Sequence, residues 1–229
     1  MLRALFGLSA ILSSAYLLGG CVSLGLHDTA RTAPPGKVEF GGIVTPVFVW
    51  WDLPLSYGSA AVLFPLPELY ARVGLSDNSD LGLRWAFGPG LRMDYKQRLA
   101  SGGVDVAGQI GGSFLFLEGG SYFSLSPRLL MSRESEPGLP WAFNAGLDYY
   151  RLFYRDYYGE VSREGLLCLR AGFGLPFRVL ESVRIMPETA VSLRVAGDAD
   201  PYGSVVLAQR GLVVTLGVGL GSVEREEVE

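Results

Sequence analysis

"PELYARVGLSDNSDLGLRWAFGPGLRMDYKQRLA" occupies Pro67 to Ala100. In its first part Leu69, Ala71, Val73 and Leu75 alternate with Glu68, Tyr70, Arg72 and Gly74. After "SDNSD", Leu81, Leu83, Trp85 and Phe87 alternate with Gly82, Arg84 and Ala86, with Asp80 on the polar side. Leu91, Met93 and Tyr95 then alternate with Arg92, Asp94 and Lys96, and Arg98 continues the polar set. A period of two is the signature of a strand with two unlike faces. The residues between the first two runs tolerate turn geometry, so these runs read as a hairpin.

The alternation continues outward in both directions. Strands are expected at Lys37–Trp50, Val104–Leu117, Tyr122–Met131, Trp141–Tyr154, Leu166–Phe177, Val183–Val195 and Val205–Leu220. With the three above, this gives about ten, within a range of 8–12. No helix of normal length is expected in this part of the chain. At 229 residues the chain has the length of one sizeable domain.

Alternation alone also fits a β-sandwich, whose apolar faces form the core and whose polar faces meet water. It fits a soluble lipid-tethered barrel of lipocalin type as well. Here the apolar faces are long and aromatic, whereas the polar faces mix Gly, Ser and Ala with Arg, Asp and Glu. That pattern suits an inverted arrangement, apolar toward lipid and polar toward an interior. Most runs reach the roughly 9–11 residues needed to cross a bilayer. Trp50, Trp51, Tyr57, Trp141, Tyr154, Tyr157 and Tyr158 fall near strand ends, as interfacial girdles require. The expected fold is therefore all-β: an up-and-down antiparallel transmembrane β-barrel over residues 37–221.

The N-terminus reads as a targeting segment, with an uncleaved transmembrane helix and a plain signal peptide with an incidental cysteine as the alternatives to a lipoprotein signal. Arg3 supplies positive charge, Leu5 to Leu18 an apolar run, and "LGGC" places Leu18, Gly19 and Gly20 before Cys21. This resembles the lipobox of bacterial lipoproteins. The resemblance implies cleavage after residue 20 and acylation of Cys21 with diacylglycerol and an N-acyl chain. Several acyl chains far exceed the marginal membrane affinity of one. Val22, rather than Asp, at the next position implies outer-membrane sorting. Residues 21–36 read as a polar, Pro-containing, lipid-anchored tether without periodicity, and residues 222–229 as an acidic tail.

The region from Gly36 to Gly221 resembles, in pattern, the small outer-membrane β-barrel proteins of Gram-negative-type bacteria. It is carried by "YARVGLSDNSDLGLRW" and "GLRMDYKQRL", the second with an inward lysine. The resemblance implies bilayer lipid and the outer-membrane assembly machinery as partners. Most such barrels end on an aromatic residue that this machinery reads. This chain instead ends its last strand at Leu220 and adds "SVEREEVE", which departs from that pattern and leaves an internal version of the signal as the alternative.

Composition narrows the function. A net charge of −4 gives no basic bias toward nucleic acid. Two cysteines, Cys21 and Cys168, and one histidine, His27, form no zinc pattern, and no metal or other cofactor is expected. His27 is expected in the tether, away from any strand-borne serine, so a Ser–His hydrolase is not expected. Cys168 reads as a small buried residue. "GVGLG" at Gly217–Gly221 ends a strand and opens no helix, so it is no dinucleotide loop. Glu68, Arg72, Asp80, Arg84, Arg92, Asp94, Lys96 and Arg98 share one polar face and are expected to form a charge cluster in the barrel interior. Inward glycines leave room that inward arginines can occupy. The expectation is a non-enzymatic, lipid-anchored structural or interaction barrel with a largely filled interior. The alternative is a pore or transporter for a small solute, and a membrane-embedded enzyme is the third class.

Overall fold

A computed structural model describes residues 28–52, 59–86, 91–117, 120–134, 139–155, 161–180, 183–197 and 212–222. His27, Cys21 and the acidic tail after Ser222 lie outside the described residues. So do Tyr57, Tyr157 and Tyr158, and the side chains of Trp50, Trp51 and Tyr154.

Eleven strands are described: β1 (Val38–Asp52), β2 (Ser59–Ser76), β3 (Ser79–Ala86), β4 (Leu91–Ala100), β5 (Asp105–Leu117), β6 (Gly120–Arg133), β7 (Trp141–Arg155), β8 (Val161–Gly174), β9 (Phe177–Leu180), β10 (Val183–Gly197) and β11 (Leu212–Ser222). Each pairs antiparallel with its neighbours, and β11 pairs with both β10 and β1, which closes the ring. The short β9 continues the line of β8 past Leu175–Pro176 and pairs with β10 at Val183–Ile185. The eleven strands therefore make ten staves, the number expected from the periodicity. Closure satisfies the backbone donors and acceptors that an open edge would leave bare.

The sheet's two faces divide as the alternation requires. Phe40, Leu69, Leu83, Met93, Ile110, Phe114, Leu129, Leu147, Leu169 and Leu193 point outward and are exposed. Glu68, Arg72, Arg84, Asp94, Gln109, Ser126, Asp148, Arg170 and Glu188 point inward and are buried. Cys168 is an inward, buried, free thiol.

Prolines leave marks on the ladder because they have no N–H. Pro46 faces Pro65 across β1 and β2, so neither strand offers a donor at that rung. The pairing of β1 with β11 skips Thr45 and Pro46, and that of β6 with β7 skips Ser126 and Pro127.

The start of β1 and the end of β11 lie at one mouth, here the terminal mouth, as do the β2–β3, β4–β5 and β6–β7 connections. The N-terminal segment enters the barrel there. "PPGK", Pro34–Lys37, forms the turn that reverses it into β1. Lys37 N–H donates to Pro34 O at 3.0 Å, and Gly36 has a φ of 71°. Proline at the second position and glycine at the third are what a type II turn demands. The segment passes over Gly74: Gly36 N–H donates to Gly74 O at 2.9 Å and Gly74 N–H to Lys37 O at 3.0 Å. Any side chain at Gly74 would collide with the Ala33 and Pro34 carbonyls.

The tether expectation is thereby corrected for residues 28–33. Asp28, Thr29, Ala30, Thr32 and Ala33 are buried inside the barrel rather than solvated outside it. The interior offers them partners that water would have to match: hydrogen-bonding serines, a cluster of cations and a small apolar patch.

Candidate functional site

The interior charges form two groups. The first lies at the terminal mouth, where β2, β3 and β4 bring Arg72, Asp80, Arg84, Asp94 and Lys96 onto adjacent inward positions. Cross-strand register pairs Arg72 with Gly82, Gly82 with Asp94, and Asp80 with Lys96. Glycine at 82 is what lets the group close. A Cβ there would lie 2.7 Å from the Asp94 carboxylate and 2.8 Å from the Arg72 guanidinium.

Arg72 donates to Asp80 through Nη1 and to Asp94 through Nη2. Lys96 Nζ lies 3.4 Å from Asp80 Oδ2. Into this group the N-terminal segment inserts Asp28. Its carboxylate pairs with Arg84, with Arg72 at 3.2 Å and with Lys96 at 3.6 Å, and accepts from Gln109 Nε2 at 2.8 Å. Burial raises the Asp28 carboxyl, but Arg72, Arg84 and Lys96, with the Gln109 bond, outweigh it and hold the group below the ordinary carboxylate range.

The backbone of the same segment is also held. Lys96 Nζ donates to Thr29 O at 3.1 Å and to Arg31 O at 2.5 Å. Ala30 N–H donates to Ser132 Oγ and Ala33 N–H to Asp80 Oδ2, each at 3.0 Å, and Thr32 Oγ1 donates to Asp77 O at 3.0 Å. The Ala30 methyl packs against Ala107 and Leu130. Glu134, just past β6, binds Arg184 and the Thr29 hydroxyl. Burial raises its carboxyl, and these partners bring it below its ordinary value. Three carboxylates (Asp28, Asp80, Asp94) thus meet three cations (Arg72, Arg84, Lys96), and buried charge is compensated as it must be.

The second group lies on β4, β6, β7 and β8. Asp148 accepts from Arg128 Nη2 at 3.4 Å and from Arg170 Nη1 at 3.5 Å. Arg92 donates through Nη1 to Ser126 Oγ at 3.4 Å. Its guanidinium lies over Gly111, where a Cβ would be 3.0 Å from Nε, and the Arg128 stem lies over Gly146, where a Cβ would be 2.8 Å from Cγ. Inward glycines therefore seat inward arginines at these positions.

Of the eight residues expected to cluster, Arg72, Asp80, Arg84, Asp94 and Lys96 come together. Glu68 is buried on the same face, within electrostatic range of Arg84. Arg92 belongs to the second group. Arg98 is a correction: it lies at the mouth, where Nη2 donates to Asp77 O at 2.7 Å and to Asn78 Oδ1 at 2.9 Å. The inward parity is right, but β4 there has passed the Asp77–Asn78 turn, so the side chain clamps the turn instead of entering the interior. Asp28, Gln109, Arg128, Asp148 and Arg170 are the site residues that the cluster expectation omitted.

No protein-family model and no curated protein matches the sequence. Among solved structures the chain is similar to neisserial surface protein A (TM-score 0.41, 13% identity, 81% of this chain and 96% of that one). It is also similar to the translocator domain of the autotransporter NalP from Neisseria meningitidis (0.45, 11%, 82% and 88%). A third is Ail, the attachment invasion locus protein of Yersinia pestis (0.37, 11%, 82% and 98%). At such identities the likeness is one of fold.

Proposed function

We propose that the chain is a lipid-anchored β-barrel of the bacterial outer membrane, of structural or interaction type, whose interior is filled by its own side chains and N-terminal segment. The reading is non-catalytic. An apolar, exposed outer face around a polar, buried interior supports the bilayer setting, since lipid is the solvent that such a surface matches. The observation that carries the filled interior is the seating of Asp28–Ala33 inside the barrel, with Asp28 on three cations. A solute-conducting barrel would need that space.

Acylation of Cys21 fits this placement. Seven residue steps separate Cys21 from Asp28, a reach of at most about 24 Å. Asp28 lies near the terminal mouth, so the acyl chains enter the leaflet at that mouth.

The test uses the mature protein. Mass spectrometry is expected to find a diacylglyceryl cysteine at position 21, and an intact Met1 or unmodified Cys21 removes the anchor. In planar bilayers the protein is expected to pass no steady current, and a stable open conductance replaces this reading with the pore.

A further inference from the structure

The two interior groups differ in whether each cation has a carboxylate beside it. Around Asp28 each cation faces a carboxylate. In the second group Arg92 has no carboxylate within 4 Å among the described residues, and its Nη2 has no hydrogen-bond acceptor. Arg128 reaches Asp148 only at 3.4 Å, and its Nε has no acceptor. Buried donors left in this state are costly, so a native site normally supplies a partner.

Residual exposure indicates where such a partner could sit. Arg92, Ser113 and Arg128 each retain 7% of their surface, slightly more than Arg72 and Arg84 in the first group. All three side chains point inward, so that surface faces the barrel interior, while the unpaired Arg92 Nη2 and Arg128 Nε are themselves covered. Asp28–Ala33 lie between these residues and the terminal mouth.

We propose that this part of the interior binds a small oxyanion, a phosphate or carboxylate group, between Arg92 and Arg128. Guanidinium forks fit such oxygens in pairs, and Ser113 lines the same space. Asp148 remains on the opposite edge of Arg128, where it fixes that side chain and Arg170 in place. The proposal goes beyond the filled-barrel reading and does not depend on lipidation. Conductance tests that reading, and anion binding tests this one.

The experiment uses the full mature chain in detergent, with phosphate, acetate and chloride compared at equal ionic strength. Phosphate or acetate is expected to raise the melting midpoint above that in chloride, and bound phosphate to broaden its ³¹P resonance. Arg92→Gln is expected to weaken binding about tenfold or more, the loss of a charge-assisted pair. In chloride it should melt no lower than the parent, because it removes an uncompensated cation. Arg92→Lys, which keeps the charge and loses the fork, should bind weakly. Ser132→Ala, which loosens the N-terminal segment, should lower the midpoint yet keep the phosphate response. Equal midpoints in all three salts would overturn the proposal. So would unchanged broadening with Arg92→Gln, or a lower midpoint for that variant in chloride, which would make Arg92 a structural ion-pair partner.

Discussion

The terminal-mouth half of the interior and the wall beyond it use the same residue types to opposite ends. Near the mouth, three acids and three cations interlock, and the third acid comes from outside the sheet. Further in, Arg92, Arg128 and Arg170 gather near Asp148, with bonds of 3.4 Å and longer. The difference teaches that burial alone does not make a charge cluster stabilising. What counts is whether each ion has its counterion at contact distance, because desolvation is costly for every ion whether or not it is paired.

The sharpest way to break the comparison is Asp28→Ala. It takes from Arg84 its close carboxylate, leaves three cations against Asp80 and Asp94, and should cost about 3–5 kcal/mol where all are fully buried. Chemical denaturation reads the loss. A cysteine placed at Ala30 should become far more reactive in the same background. If stability and labelling stay unchanged, the three cations find other partners and the contrast between the two halves disappears.

Asp148→Asn probes the other half and should cost less, roughly 1.5–3 kcal/mol, the range for hydrogen bonds to charged groups. The same denaturation series reads it. A loss equal to that of Asp28→Ala would mean that the second group is as tightly interlocked as the first.

Acid sharpens the comparison further. The Asp28 carboxyl is held below its ordinary value, so its contribution is complete above about pH 4 and is lost only as pH falls through the lower folded-state value. The stability gap between the parent and Asp28→Asn should therefore be flat from neutral pH to about 5 and shrink below about 4. A gap that closes by pH 6 would show that the carboxyl is not held by these cations.

The smallest effect belongs to Arg98→Ala. This half-buried turn clamp at the mouth should cost about 0–1 kcal/mol, as surface contacts do. A loss on the scale of Asp28→Ala would return Arg98 to the interior group.

Much of the site was legible in the polar face of three consecutive strands. Glu68, Arg72, Asp80, Arg84, Arg92, Asp94 and Lys96 follow from parity, since inward and outward positions alternate along a regular pleated strand. What parity could not supply was the remaining carboxylate. The eight residues expected to cluster hold five cations (Arg72, Arg84, Arg92, Lys96, Arg98) against three acids (Glu68, Asp80, Asp94), an excess that calls for acid from elsewhere. Asp28 is the only acidic residue between Cys21 and Lys37, and "PPGK" after it is a reversing turn. Together these are the clue that the segment folds back.

The sequence by itself determined the strands, their two faces and the ten staves, because a period of two is local and each strand carries it independently. The tertiary structure decided where the aperiodic stretch before β1 goes, which charges touch, and which end of β4 lies inside. Those depend on ring closure, which brings residues as distant as Ala30 and Ser132 within 3.0 Å. Closure also makes an enclosed space in which an unpaired charge is costly enough to draw a free segment of chain inside.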